Sequence, residues 1–234
     1  MRDALRHFVA EFVGTFALVF VGGATIIGVA ATGTEAALVT VALAHGVILA
    51  VLVSALMRIS GHFNPAVTIG FMAARRIDAM MAGVYIAAQI LAAIIAAYAL
   101  KWTLPESIAT ATRLGGQAVM LDVTAGQAVW LEGIATFFLT FVIFGTAVDP
   151  KSPRIGGLAI GLTLTAGILA IGPFTGGSLN PARSLGPAVA SGVFEGLYVY
   201  FVGPILGSVS AALLYDSLFL RRQREPVDHG AVRT

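Results

Sequence analysis

An all-α membrane bundle is what this sequence predicts: six transmembrane helices plus two re-entrant half-helices arranged as an inverted repeat. Three observations predict it. Only 11% of the 234 residues are charged and the mean hydropathy is +0.91. Soluble domains carry about 25% charged residues, so there is too little polar material here to coat a water-soluble globule. Six apolar runs are each close to the roughly 20 residues that a bilayer crossing requires. Two further runs are too short to cross, and each begins at the proline of an Asn-Pro-Ala tripeptide.

The first run, residues 8–30, follows Arg2 and Arg6 as the core of a secretory leader would. It is too long for such a core and contains Glu11, so it reads as a span. The other five are 36–57, 79–100, 129–148, 155–171 and 197–220. Lipid offers backbone groups no partners, so all six must be helices, and the short Gly and Thr breaks between them are turns at the interface. The two short runs, 65–74 and 181–191, would be roughly 15 Å long at about 1.5 Å per residue. That is about half of the ~30 Å hydrocarbon core, so they read as half-helices that enter and stop midway.

Orientation follows from Lys and Arg. With both termini cytoplasmic, that side holds Arg2, Arg6, Arg58, Arg75, Arg76, Lys151, Arg154, Arg221, Arg222, Arg224 and Arg233, eleven of the fourteen basic residues, while only Lys101 and Arg113 lie outside. Trp102 and Trp130 then both fall at the outer interface. The chain reads as one domain over 1–234, with repeat one over about 8–100, repeat two over about 129–220, an outer connection over 101–128 and a basic cytoplasmic tail over 221–234. We expect a multi-pass protein of the cell membrane. The basic residues sit in connections and form no face for nucleic acid, and the absence of cysteine excludes disulfides and thiol chemistry.

The repeat is visible in the residues themselves. Ser60-Gly61-His62-Phe63-Asn64-Pro65-Ala66 is answered by Thr175-Gly176-Gly177-Ser178-Leu179-Asn180-Pro181-Ala182. Glu11-Phe12-Val13-Gly14-Thr15-Phe16 is answered by Glu132-Gly133-Ile134-Ala135-Thr136-Phe137, and Gly46 by Gly161. Three spans per half is an odd number, so the second half inserts upside down and the half-helix N-termini meet near the midplane, a pattern tolerated where broken helices line a cavity. An Asn-Pro pair can be a plain helix start, with Asn as N-cap and Pro at the first helical position. Yet Asn64 and Asn180 are the only asparagines in the chain, and a carboxamide without a task is costly in lipid.

In its six spans, its two Asn-Pro-Ala half-helices, a Glu early in the first and fourth spans and Arg183 directly after the second motif, the chain resembles the aquaporin, or major intrinsic protein, family over essentially its whole length. The resemblance implies a right-handed bundle with one pore per subunit, assembled as a homotetramer. It implies that Asn64, Pro65, Ala66, Asn180, Pro181 and Ala182 form the pore centre, and that Gly61, His62, Phe63, Ser178 and Leu179 line the path, with 61–63 and 177–179 running extended. His45, Ile168, Gly177 and Arg183 fall where the family has its selectivity filter. Arg183 is a charge inside the membrane, and such residues line pathways or pair with partners. Glu11 and Glu132 would couple protons in a transporter; their matching places in both repeats favour the family's scaffold role, accepting hydrogen bonds from loop amides that have no water available.

This filter resembles that of ammonia-permeable tonoplast-type members. Water and small neutral solutes such as ammonia are expected to pass, without protons or ions. The alternative is an aquaglyceroporin-type channel for glycerol or urea, although glycerol facilitators carry Trp and Asp where this chain has His45 and Ser184. The outer connection also lacks the histidine that plant ammonia-type channels use there. A coupled secondary transporter is a remote alternative. No zinc-ligand spacing, no Ser-His-Asp set and no phosphate-cradling Gly-Lys motif is present, so we expect neither an enzyme nor a cofactor or metal.

Overall fold

The computed structural model describes residues 2–220, so the basic tail expected over 221–234 lies outside the described residues, as does Met1. In chain order the helices are α1 (Arg2–Thr32), α2 (Ala37–Leu56), α3 (Pro65–Ala73), α4 (Ala79–Thr103), α5 (Glu106–Ala111), α6 (Ala125–Ile143), α7 (Gly156–Thr175), α8 (Pro181–Ser191) and α9 (Val199–Tyr215). A tight turn over Arg113–Gly115 follows α5, and wide π-type turns extend α6 to Val148 and α9 to Leu220. Six of these helices are long and apolar enough to cross a membrane, and no strand occurs among the described residues. The fold is therefore the all-helical, six-span bundle with two half-helices.

Helix ends follow local chemistry. Asp78 caps α4 by accepting from Met81 N at 3.0 Å, and Thr124 with Gln127 forms a reciprocal capping box on α6. Several boundaries differ from the sequence reading: α1 begins at Arg2 rather than 8, α4 ends at Thr103 rather than 100, α6 begins at Ala125 rather than 129, and α7 runs through Pro173 to Thr175 rather than ending at 171. Its last turn is held from outside, by Tyr200 Oη donating to the Thr175 carbonyl at 2.8 Å, and it stops at Gly176, whose φ of +80° suits glycine.

The bundle is built twice. α1 packs on α4 and α2, as α6 packs on α9 and α7; α8 lodges against α4, as α3 lodges against α9. Exchanging the halves maps this pattern onto itself, with α2 against α7 at the centre. There the close approach is made by glycine. A Cβ on Gly46 would stand 2.5 Å from the Gly161 carbonyl oxygen, and one on Gly161 would stand 2.5 Å from Ala50 Cβ. Small residues are the usual means of bringing membrane helices together. Polarity is inside-out: Glu11, Gln89, Glu132 and Arg183 are buried, while Val47, Val51, Phe138 and Leu206 are exposed. Trp102 and Trp130, at the ends of the helices flanking the outer connection, are exposed as well.

Candidate functional site

The two half-helices meet through their caps. Asn64 Oδ1 accepts from Ala66 N at 2.9 Å, and Asn180 Oδ1 accepts from Ala182 N at 3.0 Å and Arg183 N at 3.3 Å. With each carbonyl end turned onto its own helix, each amide end reaches across to the other half. Asn64 Nδ2 donates to the Leu179 carbonyl at 2.7 Å, and Asn180 Nδ2 donates to the Phe63 carbonyl at 2.8 Å. A carboxamide nitrogen carries two hydrogens, so each asparagine keeps one donor for a guest.

The loops feeding these caps are not extended throughout. Phe63 has φ +49° and Leu179 φ +55°, left-handed conformations that cost a non-glycine residue on the order of 1–3 kcal/mol. The reason lies in what each kink connects: the residue's amide points at a buried glutamate while its carbonyl meets the opposite asparagine. Glu11 accepts from His62 N at 2.9 Å, Phe63 N at 2.7 Å, Gln89 Nε2 at 2.6 Å and the Ser60 hydroxyl. Glu132 accepts from Ser178 N at 2.9 Å, Leu179 N at 2.7 Å and Thr175 Oγ1 at 2.7 Å. Both glutamates are fully buried, so their oxygens satisfy loop amides that would otherwise have no partner.

Arg183 lies on the first turn of α8, directly after the second motif, and is buried. Its Nη1 donates to the Gly115 carbonyl at 2.7 Å, and its Nη2 lies 3.3 Å from His45 Nε2. His45 Nδ1 is 2.8 Å from the Val41 carbonyl. Because a carbonyl only accepts, Nδ1 carries the ring hydrogen, and Nε2 is left to accept from the arginine. The structure thus pairs His45 with Arg183, and it brings Ile168 against Gly177. A Cβ on Gly177 would stand 3.1 Å from Ile168 Cα, and the Ile168 side chain belongs to the apolar core with Leu164 and Leu179.

A narrow cavity joins these parts, with Gly61, His62, Phe63, Asn64, Ser178, Leu179, Asn180, His45 and Arg183 in its wall. Leu18, Leu49, Val67, Leu139, Ile143, Ile160 and Leu164 supply its apolar side. Ile168 and Gly177 are not in this lining. His62 also opens onto a wider recess lined by Arg75, Arg76, Asp78 and Tyr85, with its ring 4.2 Å from that of Phe71.

Several partners in this site escape a reading of the sequence. Gln89 is a lone amide in an apolar span, a signal of the same kind as the two asparagines. Ser60 and Thr175 recur as hydroxyls shortly before each motif. The Gly115 carbonyl has no signal of its own, since any residue offers one.

Six spans around a narrow cavity walled by broken-helix backbone define a membrane pore. The comparisons agree with that class. The family model described as "Major intrinsic protein" matches residues 1–215. Aquaporin TIP2-1 of Arabidopsis thaliana is 42% identical, over 93% of this chain and 88% of that protein. Aquaporin TIP4-4 of Zea mays is 41% identical, over 92% of this chain and 87% of that protein. The X-ray structure of the aquaglyceroporin from Plasmodium falciparum superposes with a TM-score of 0.80 at 26% identity, covering 94% of this chain and 98% of that one. The chain belongs to the major intrinsic protein, or aquaporin, family. It is a multi-pass membrane channel for water and small solutes, not an enzyme, and its TIP relatives match the tonoplast-type likeness of the sequence.

Proposed function

We propose that the chain is a passive channel that conducts water and ammonia and excludes protons and ions. The observation that carries this reading is the reciprocal pair of bonds between Asn64 and Leu179 and between Asn180 and Phe63, which leaves two free amide hydrogens on the wall of one narrow, otherwise largely apolar cavity. Each half-helix N-terminus adds about half a positive charge facing that point. A water between the asparagines would accept from both and turn its own hydrogens away from the centre, which interrupts proton hopping. Arg183 repels cations electrostatically and donates to a passing oxygen, as charged groups do in selective pores. Glu11 and Glu132 hold the two loops in shape.

In this reading His45 and Arg183 form the polar wall of the filter, and Ile168 with Gly177, which pack on each other outside the cavity lining, add no donor on their side, which suits a solute as small as ammonia. The same lack of a donor on that side is the feature that favours the second reading, a channel for glycerol or urea. We further propose a homotetramer in the cell membrane with both termini cytoplasmic, the latter supported by the basic asymmetry.

The test uses purified protein in proteoliposomes. Stopped-flow osmotic shrinkage should be faster than in empty vesicles and should not saturate, and an internal pH dye should report accelerated ammonia entry. Shrinkage no faster than in empty vesicles would reject the channel, and flux that saturates or follows an ion gradient would favour a coupled transporter. Fast glycerol entry with slow ammonia entry would favour the second reading. Fractionation of cells expressing the chain should place it with the cell membrane; an internal membrane fraction would contradict that placement.

A further inference from the structure

The guanidinium of Arg183 is held chiefly by one backbone carbonyl, that of Gly115. Its Nη1 bond to that oxygen is 2.7 Å, the contact to His45 is a longer 3.3 Å, and Nε is buried with no partner among the described residues. The carbonyl sits in an unusual turn: Arg113, Leu114 and Gly115 all have positive φ, at +52°, +55° and +79°. Glycine takes that conformation without strain, whereas arginine and leucine resist it and adopt it only where surrounding contacts impose it. The contacts here are specific. The Leu114 side chain is buried in an apolar socket with Ile27, Ala97, Leu100 and Ala190. Gly115 lies against α1 so closely that a Cβ on it would stand 2.6 Å from Gly23 Cα, and one on Gly23 would stand 3.3 Å from the Leu114 carbonyl oxygen.

We propose that this left-handed turn is a positioning element of the pore: Leu114 as plug, with Gly115 seated on Gly23, fixes the carbonyl that anchors Arg183 and thereby sets which solutes pass. The inference rests on the channel reading above. With the plug drawn, only the Gly115 seat on Gly23 and the turn's own bonds, Gly115 N to the Thr112 carbonyl and Gly116 N to the Arg113 carbonyl at 2.9 Å each, oppose the relaxation of Arg113 and Leu114 out of a disfavoured conformation. The carbonyl then leaves Arg183, and the guanidinium is free to swing aside.

The experiment measures water and glycerol permeability on the same proteoliposomes for wild type, Leu114→Ala, Arg183→Ala and the double variant, with Leu121→Ala, fully exposed in the same connection, as control. Leu114→Ala should raise the glycerol-to-water ratio about tenfold, the scale set by losing one hydrogen bond to a charged group. In the Arg183→Ala background it should raise the ratio no further, and Leu121→Ala should match wild type. A purely structural role would lower both permeabilities together and leave the ratio alone. An unchanged ratio in Leu114→Ala overturns the inference, as does an equal rise with and without Arg183. Should Leu114→Ala fail to insert, Leu114→Val is read on the same ratio against the same outcomes. A wild-type chain that conducts no water would instead overturn the channel reading, so the two failures are distinct.

Discussion

Removing the Glu132 carboxylate should damage both stability and conduction, by an amount the geometry permits one to estimate. Glu132 is fully buried. One oxygen accepts from Thr175 Oγ1 at 2.7 Å and Ser178 N at 2.9 Å, and the other accepts from Leu179 N at 2.7 Å. Glu132→Gln keeps one acceptor and turns an amide nitrogen toward Leu179 N, donor against donor. A buried group left without its partner costs about 1–3 kcal/mol, so that substitution should lose about that much. Glu132→Ala strands both backbone amides and should lose about 2–6 kcal/mol on the same basis. The Leu179 kink at φ +55° then has no amide anchor, and its carbonyl no longer presents itself to Asn64. Thermal unfolding of the purified protein in detergent, followed by osmotic permeability in vesicles, checks both consequences. The expected order of stability is wild type, then Gln, then Ala, with water flux falling in the same order. Glu132→Ala with the unfolding midpoint and flux of wild type would refute the argument that the glutamate holds the loop.

Other outcomes follow from the same structure. Gly161→Val should abolish the yield of folded protein, because even a Cβ there would stand 2.5 Å from Ala50 Cβ and 2.9 Å from Ala50 N; size-exclusion chromatography of the expressed variant checks this, and a normal yield would contradict the α2–α7 crossing. Arg183→Ala should admit larger solutes and cations, since it removes the buried positive charge from the cavity wall; vesicle conductance and glycerol uptake are the measurements, and retained exclusion would count against its role. Mercuric chloride should leave water flux unchanged, as the chain has no cysteine.

What the sequence made legible, and what it hid, divides along physical lines. Spans and half-helices could be read because apolar length is dictated by the bilayer and because Asn-Pro is a helix start that any alignment of the two halves brings into view. The kinks at Phe63 and Leu179 could not, because bulky residues give no sign of a left-handed backbone; only the bonds to Glu11, Glu132, Asn64 and Asn180 impose it. For the same reason the outer connection concealed its turn at Arg113–Gly115, which is imposed by packing on α1. The end of α7 was misplaced at 171 because Gly172-Pro173 looks like a break, whereas the Tyr200 hydroxyl, 25 residues further on, secures the next turn. Gln89 was within reach of the reasoning that singled out the asparagines, since a lone amide in an apolar helix also calls for a partner. It donates to Glu11 and, at 3.0 Å, contacts Thr68 Oγ1.

The most direct check on the lumen itself is an experimental density map of the protein in lipid, at a resolution that shows ordered water. A continuous single file running from His62 past the two asparagines to Arg183, with one water bonded to both Nδ2 atoms, is the predicted result. Side chains filling that path, or a dry gap between Asn64 and Asn180, would contradict it.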